Sequence, residues 1–285
     1  MADAKMADTK TADTKTAEAK TAGAQALPVG LKEFSLAGKS AIVIGAEHPL
    51  GRAAAVTLAE AGAKVLLASQ EPGTGDRLKE VAKAVQAAGA TAIVQVQRAA
   101  IRADLSATAD LAVSQLGGLD ILVTALDAPF YATVEATDDS AYDRVMEDNF
   151  KTVWMAFQEV GRVMLQRGGG VIVNISTVMA ERGVPNAALY CAAKGAVRNL
   201  VRALALEWAR RGVRINLLEC GWTEEAGSPA LAPGDFADKL IRYLPYRRLL
   251  KPEEIAGALL YLVSPAAGFV TGEAIAVDGG LLCRV

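Results

Sequence analysis

Histidine occurs once in this chain of 285 residues, at His48, and cysteine only at Cys191, Cys220 and Cys283. Residues so few and so far apart offer no metal-ligand spacing. An odd, sparse cysteine count fits a reducing cytosol rather than a disulfide framework. No run of basic residues occurs and the net charge is −2, which argues against nucleic acid or an anionic membrane as partner. Apolar runs all stop short of a membrane span.

Residues 1–27 differ from the rest. They repeat with a period of five, as Met6-Ala7-Asp8-Thr9-Lys10 followed by Thr11-Ala12-Asp13-Thr14-Lys15. A period of five makes neither a helix stripe nor a strand, and nothing larger than methionine is there to be buried. A secretory signal needs an apolar stretch that this segment lacks. The expectation is a solvated low-complexity tail ahead of one domain over 28–285.

Within that domain, strand and helix patterns alternate. Short apolar runs at 40–44, 64–68, 91–96, 121–125, 171–175, 214–218 and 274–277 read as strands. Helical patterns lie between them at 51–61, 75–88, 106–116, 139–167, 188–211 and 252–263. Continuous apolar strands separated by helices predict an α/β fold, a doubly wound parallel sheet with helices on both faces. The glycine loop 45–51 after the first strand makes it Rossmann-like.

Tyr190 and Lys194 stand four residues apart in one predicted helix. An i, i+4 pair shares a face, so the ammonium is expected to lower the phenol's pKa and make it a proton-transfer group. With Asn149, the segment 173–177, Gly272 and Asp278-Gly279-Gly280, this pair resembles the short-chain dehydrogenase/reductase family from about Leu36 onward. The resemblance implies that Tyr190 is the catalytic tyrosine and that Lys194 contacts the cofactor ribose. It likewise implies that Asn149 holds a relay water and that Thr177 fills the catalytic serine position. Read from the residues alone, Asn149 and Thr177 suit local backbone hydrogen bonds at least as well. His48 reads as a solvated turn residue, and Cys191 and Cys220 as small buried hydrophobes.

The positions that the resemblance assigns to a nicotinamide dinucleotide depart from the family's pattern. Gly45 and Gly51 remain of the glycine loop, but Pro49 replaces the middle glycine and Glu47 adds a negative charge. Proline has no N–H to offer a pyrophosphate and restricts the residue before it. Ser69, Gln97 and Asp127 replace an acid, an aspartate and a glycine, and Glu225 a threonine. Each lost contact is worth about 1.5–3 kcal/mol at most. Five together remove on the order of 5 kcal/mol, more than a thousandfold in affinity.

Three functions stay open at this point. The expectation placed first is a subunit that binds no cofactor itself and pairs with an active paralogue, as a heterotetramer. It would be similar to the cofactor-less subunit of a hetero-oligomeric member such as 2-(hydroxybenzyl)succinyl-CoA dehydrogenase. The alternatives are an active oxidoreductase using NAD or NADP with Tyr190 as acid/base, and a ligand-binding regulatory protein. The two long helices carry apolar faces suited to another subunit. On the second, Val197, Leu200, Val201 and Leu204 form a core-facing stripe, and Ala192, Ala196, Ala203 and Leu206 a second strip. Arg242, Arg247 and Arg248, with Tyr243 and Tyr246, form a basic aromatic stretch that either meets an acidic substrate arm or is a solvated helix end.

Overall fold

A computed structural model describes residues 31–224, 238 and 241–284. The low-complexity tail and Glu225 lie outside the described residues. Seven strands form one parallel sheet in the order β3-β2-β1-β4-β5-β6-β7. They are β1 Ser40–Ile44, β2 Lys64–Ala68, β3 Ala92–Gln95, β4 Ile121–Thr124, β5 Gly170–Thr177, β6 Val213–Cys220 and β7 Ala274–Val277. All seven expected strands are present. The helices are α1 Pro49–Glu60, α2 Gly75–Ala87, α3 Arg102–Leu116, α4 Asp139–Met146, α5 Thr152–Arg167, α6 Ala188–Trp208 and α7 Ala256–Val263.

The pleat sends alternate side chains to opposite faces, and both faces are covered. On one, Ala41, Val43, Val65 and Leu67 pack with Ala54 and Leu58 of α1, Leu78 and Val81 of α2, and Leu259 and Leu262 of α7. On the other, Ile42, Ile44 and Leu66 pack with Leu105 of α3, Phe157 and Val160 of α5, and Val197 and Val201 of α6. Burial on both sides explains why the central strands read as unbroken apolar runs.

One expected helix is two. A π-helical turn, Glu147–Lys151, separates α4 from α5 within the span 139–167. Side-chain donors compete for carbonyls at and just before it: Asn149 Nδ2 bonds Val145 O at 3.0 Å, and Thr152 Oγ1 bonds Glu147 O at 2.8 Å. Shorter differences occur at α3, which starts at Arg102 rather than 106, and at 209–211, which finish as a 3₁₀ turn.

Strand order reverses direction between β1 and β4, whose register pairs Ile44 with Thr124. In an open α/β sheet a ligand sits outside the carboxyl ends of the strands at that switch point. The loops after β1, β2 and β4 therefore bound the candidate site.

Candidate active site at the strand ends

The β1–α1 turn keeps its two glycines for reasons internal to the chain. Gly45 has φ +80°, and a Cβ there would stand 2.5 Å from Ala125 O. A Cβ on Gly51 would stand 2.1 Å from Gly45 O. Pro49 opens α1, where its missing N–H costs nothing, and His48 before it is extended at φ −83°, ψ 149°. The turn is thus folded as the two glycines lead one to expect.

What fills the space beside the turn is the chain's own polar side chains. Glu47 is buried, and its Oε1 accepts from Gln70 N at 2.7 Å and Glu71 N at 3.4 Å. Its Oε2 is buried with no hydrogen-bond partner. Gln70 follows the end of β2, and its Oε1 takes the backbone N–H of Asp127 at 3.3 Å and lies 3.2 Å from His48 Nε2. The reading of His48 as a solvated turn residue is corrected accordingly: it is half-buried against Gln70.

At the end of β4, Asp127 joins the two residues that the sequence paired. Tyr190 OH donates to Asp127 Oδ1 at 2.6 Å, and Lys194 Nζ lies 2.7 Å from the same oxygen. Lys194 Nζ also donates to Leu126 O at 3.0 Å. Tyr190 and Lys194 are buried, while the Asp127 side chain is about half exposed. The expected lowering of the Tyr190 pKa is overturned. Burial pushes the phenol well above its ordinary value, and the Asp127 carboxylate adds to this by charge and by accepting the proton's hydrogen bond. Lys194 does sit over the Tyr190 ring, 5.3 Å from its centroid, but its charge is engaged by the carboxylate.

Asn149 and Thr177 take their local roles. Asn149, on the π turn, is fully buried; it donates to Ala128 O at 2.9 Å and Val145 O at 3.0 Å and accepts from Ala128 N at 3.1 Å. Thr177 Oγ1 accepts from Met179 N at 3.3 Å, and among the described residues no hydrogen bond joins it to Tyr190. Ser69 and Gln97 face inward: Ser69 Oγ donates to Gln97 O at 2.8 Å and accepts from Gln97 N at 2.7 Å. Cys220 is buried as expected, whereas Cys191 is only half-buried. In the basic aromatic stretch, Arg248 is held by Glu254 at 2.6 Å and Arg284 lies over the Tyr243 ring at 4.3 Å. Sequence reasoning missed Gln70 and the bonding of Asp127. The available signals were a polar residue just past β2 and an acid at a family glycine.

A dinucleotide is the cofactor that this fold implies, and the chain's own side chains hold two of the places it would use. Its place at the switch point is crossed by the Gln70 side chain. Lys194, which would serve a ribose, is already bonded to Asp127 and Leu126. Among the described residues no group of His, Cys, Asp or Glu could hold a metal ion, and no helix is long and apolar enough to cross a membrane.

Comparison with known proteins extends the strand-end pattern over nearly the whole chain. A family model described as enoyl-(acyl carrier protein) reductase matches residues 45–282. Gluconate 5-dehydrogenase of Gluconobacter oxydans is 35% identical over 251 residues, covering 87% of this chain and 96% of that protein. Cis-4-hydroxycyclohexanecarboxylate dehydrogenase of Sinomonas cyclohexanicum is 35% identical over 249 residues, covering 86% and 97%. The crystal structure of a gluconate 5-dehydrogenase from Burkholderia cenocepacia, in complex with NADP and tartrate, superimposes with a TM-score of 0.82 at 32% identity, covering 89% of this chain and 98% of that one. With a matching sheet order, the Tyr190–Lys194 pair in place and likeness along this length, the chain belongs to the short-chain dehydrogenase/reductase family.

Proposed function

We propose that this chain serves an oxidoreductase that interconverts a secondary alcohol and a ketone, as the subunit that binds no dinucleotide of its own. The observation that carries the reading is the bond from Tyr190 to Asp127. A phenol held protonated by a carboxylate is a poor proton donor and acceptor near neutral pH. Chemistry in such an assembly belongs to a partner of the same family whose loop and tyrosine are intact.

The partner reading draws support from an uncovered face. Leu206 of α6 is 85% exposed and Trp154 of α5 44% exposed. Trp154 also lines a groove between the same helices, with Leu165, Leu200, Leu204, Trp208, Arg162 and Arg211. Apolar surface of this kind on two long helices suits a second subunit.

A second reading, an active NAD- or NADP-dependent alcohol/ketone oxidoreductase with Tyr190 as acid/base, is the one the relatives favour. Those named are dehydrogenases, and one related structure contains NADP. In that reading Asp127 has to leave Tyr190 and Lys194 before a cofactor enters. Calorimetric titration of NAD and NADP into the purified chain, alone and with a co-encoded family member, separates the two. The first reading expects no binding to the chain alone, and Tyr190→Phe to leave the complex's turnover unchanged. Micromolar binding, or lost turnover with assembly intact, establishes the second.

A further inference from the structure

We infer that the dinucleotide crevice of this chain is closed by an internal clasp, in which Glu47, Gln70 and Asp127 tie together the loops after β1, β2 and β4. The inference rests on the reading of the chain as a non-binding subunit and changes its cause. Lost family contacts weaken a ligand; gained internal contacts exclude it.

The clasp follows the topology. β2 and β4 flank β1, so a side chain joining their far ends passes over the carboxyl end of β1, at the switch point. Gln70 makes that crossing to the Asp127 backbone N–H. Glu47, from the β1 loop, fixes the backbone of Gln70 and Glu71 in the position that aims the amide. His48 then meets Gln70 Oε1 from the same loop. Asp127 finishes the closure by occupying Lys194 and Tyr190 with its carboxylate. Glu47 and Gln70 are both buried, so the bond between them is made away from competing water.

The clasp and the lost contacts predict different rescues. Restoring glycine at Pro49 supplies a family feature but leaves the clasp shut. The variant Glu47→Ala, Gln70→Ala, Asp127→Ala opens it while Pro49 stays and the family's glycine at position 127 is not restored. NADH is titrated into wild type, Pro49→Gly and the triple variant, followed by energy transfer from tryptophan to the nicotinamide. The expected result is binding strengthened at least about tenfold in the triple variant only. A folded triple variant that binds no better than wild type overturns the clasp and leaves the non-binding reading standing. Micromolar binding by wild type overturns both. Hydrogen exchange on Gln70→Ala gives a second measure in case the triple variant does not fold. The Asp127 amide is expected to lose protection selectively, and unchanged protection there also overturns the clasp.

Discussion

The hydroxyl of Tyr190 donates to Oδ1 of Asp127 at 2.6 Å, across 63 residues of chain, and the Lys194 ammonium lies 2.7 Å from the same oxygen. The carboxylate stands between the lysine's charge and the phenol it would otherwise acidify. Its influence adds to that of burial, so Tyr190 stays protonated well above the usual range.

Replacing Asp127 with Asn should therefore lower the pKa of Tyr190, because the negative charge goes while Lys194 keeps its positive one. Phenolate absorbance against pH measures this directly. The sign for stability follows from linkage. A phenol whose folded pKa exceeds its unfolded value of about 10 contributes stability fully below that pH, and loses it as pH rises through the folded value. Wild type is expected to weaken above about pH 10, and Tyr190→Phe to remove that component.

Assembly has its own test. Leu206→Lys on the exposed strip of α6 should weaken subunit association by at least about 1.4 kcal/mol, a factor of ten. The fold itself should shift by no more than about 0.5 kcal/mol, since Leu206 is 85% exposed. Sedimentation velocity reads the first quantity and thermal unfolding at low concentration the second. An unchanged assembly would place the interface elsewhere.

Gly161 fixes the approach of α5 to α6. A Cβ there would stand 2.6 Å from Cη2 of the large Trp208 ring. Gly161→Ala should cost about 1–3 kcal/mol by overpacking, despite alanine's better helix propensity. Urea unfolding gives the figure, and a stabilised variant would show that Trp208 yields.

Glu219 and Arg198 offer an asymmetric pair of substitutions. Glu219 is buried at the end of β6, and Arg198 Nη1 donates to its two oxygens at 2.8 and 2.7 Å. Burial raises the carboxyl's pKa in spite of the arginine, so desolvation outweighs attraction. Glu219→Gln should cost little, because Arg198 keeps Glu181 at 2.5 Å. Arg198→Met strands the buried carboxylate and should cost about 3 kcal/mol near neutral pH. Acidification should recover part of that loss, which chemical denaturation at two pH values will show.

The sequence by itself determined the architecture of this protein. Strands buried on both faces must be apolar throughout, and the runs at β1, β2 and β7 match the observed strands residue for residue. It determined part of the β1 turn as well, since Gly51 is forced by the Gly45 carbonyl close to it in sequence, whereas Gly45 is also pressed by Ala125 O from the end of β4. Half of the expected α6 stripe was legible for a like reason: helical period places Val197 and Val201 inward and both are buried, while Leu200 and Leu204 are only half-buried. Local pattern also marked Tyr190 and Lys194 as a pair on one helix. Only the tertiary structure decided what the pair does, because Asp127 arrives from the end of another strand. A polar residue just past β2 marked Gln70 without disclosing its role, as its partners lie on loops that the sheet order brings together. A pKa depends on every charge and every layer of burial around a group, and no spacing along one helix contains that sum.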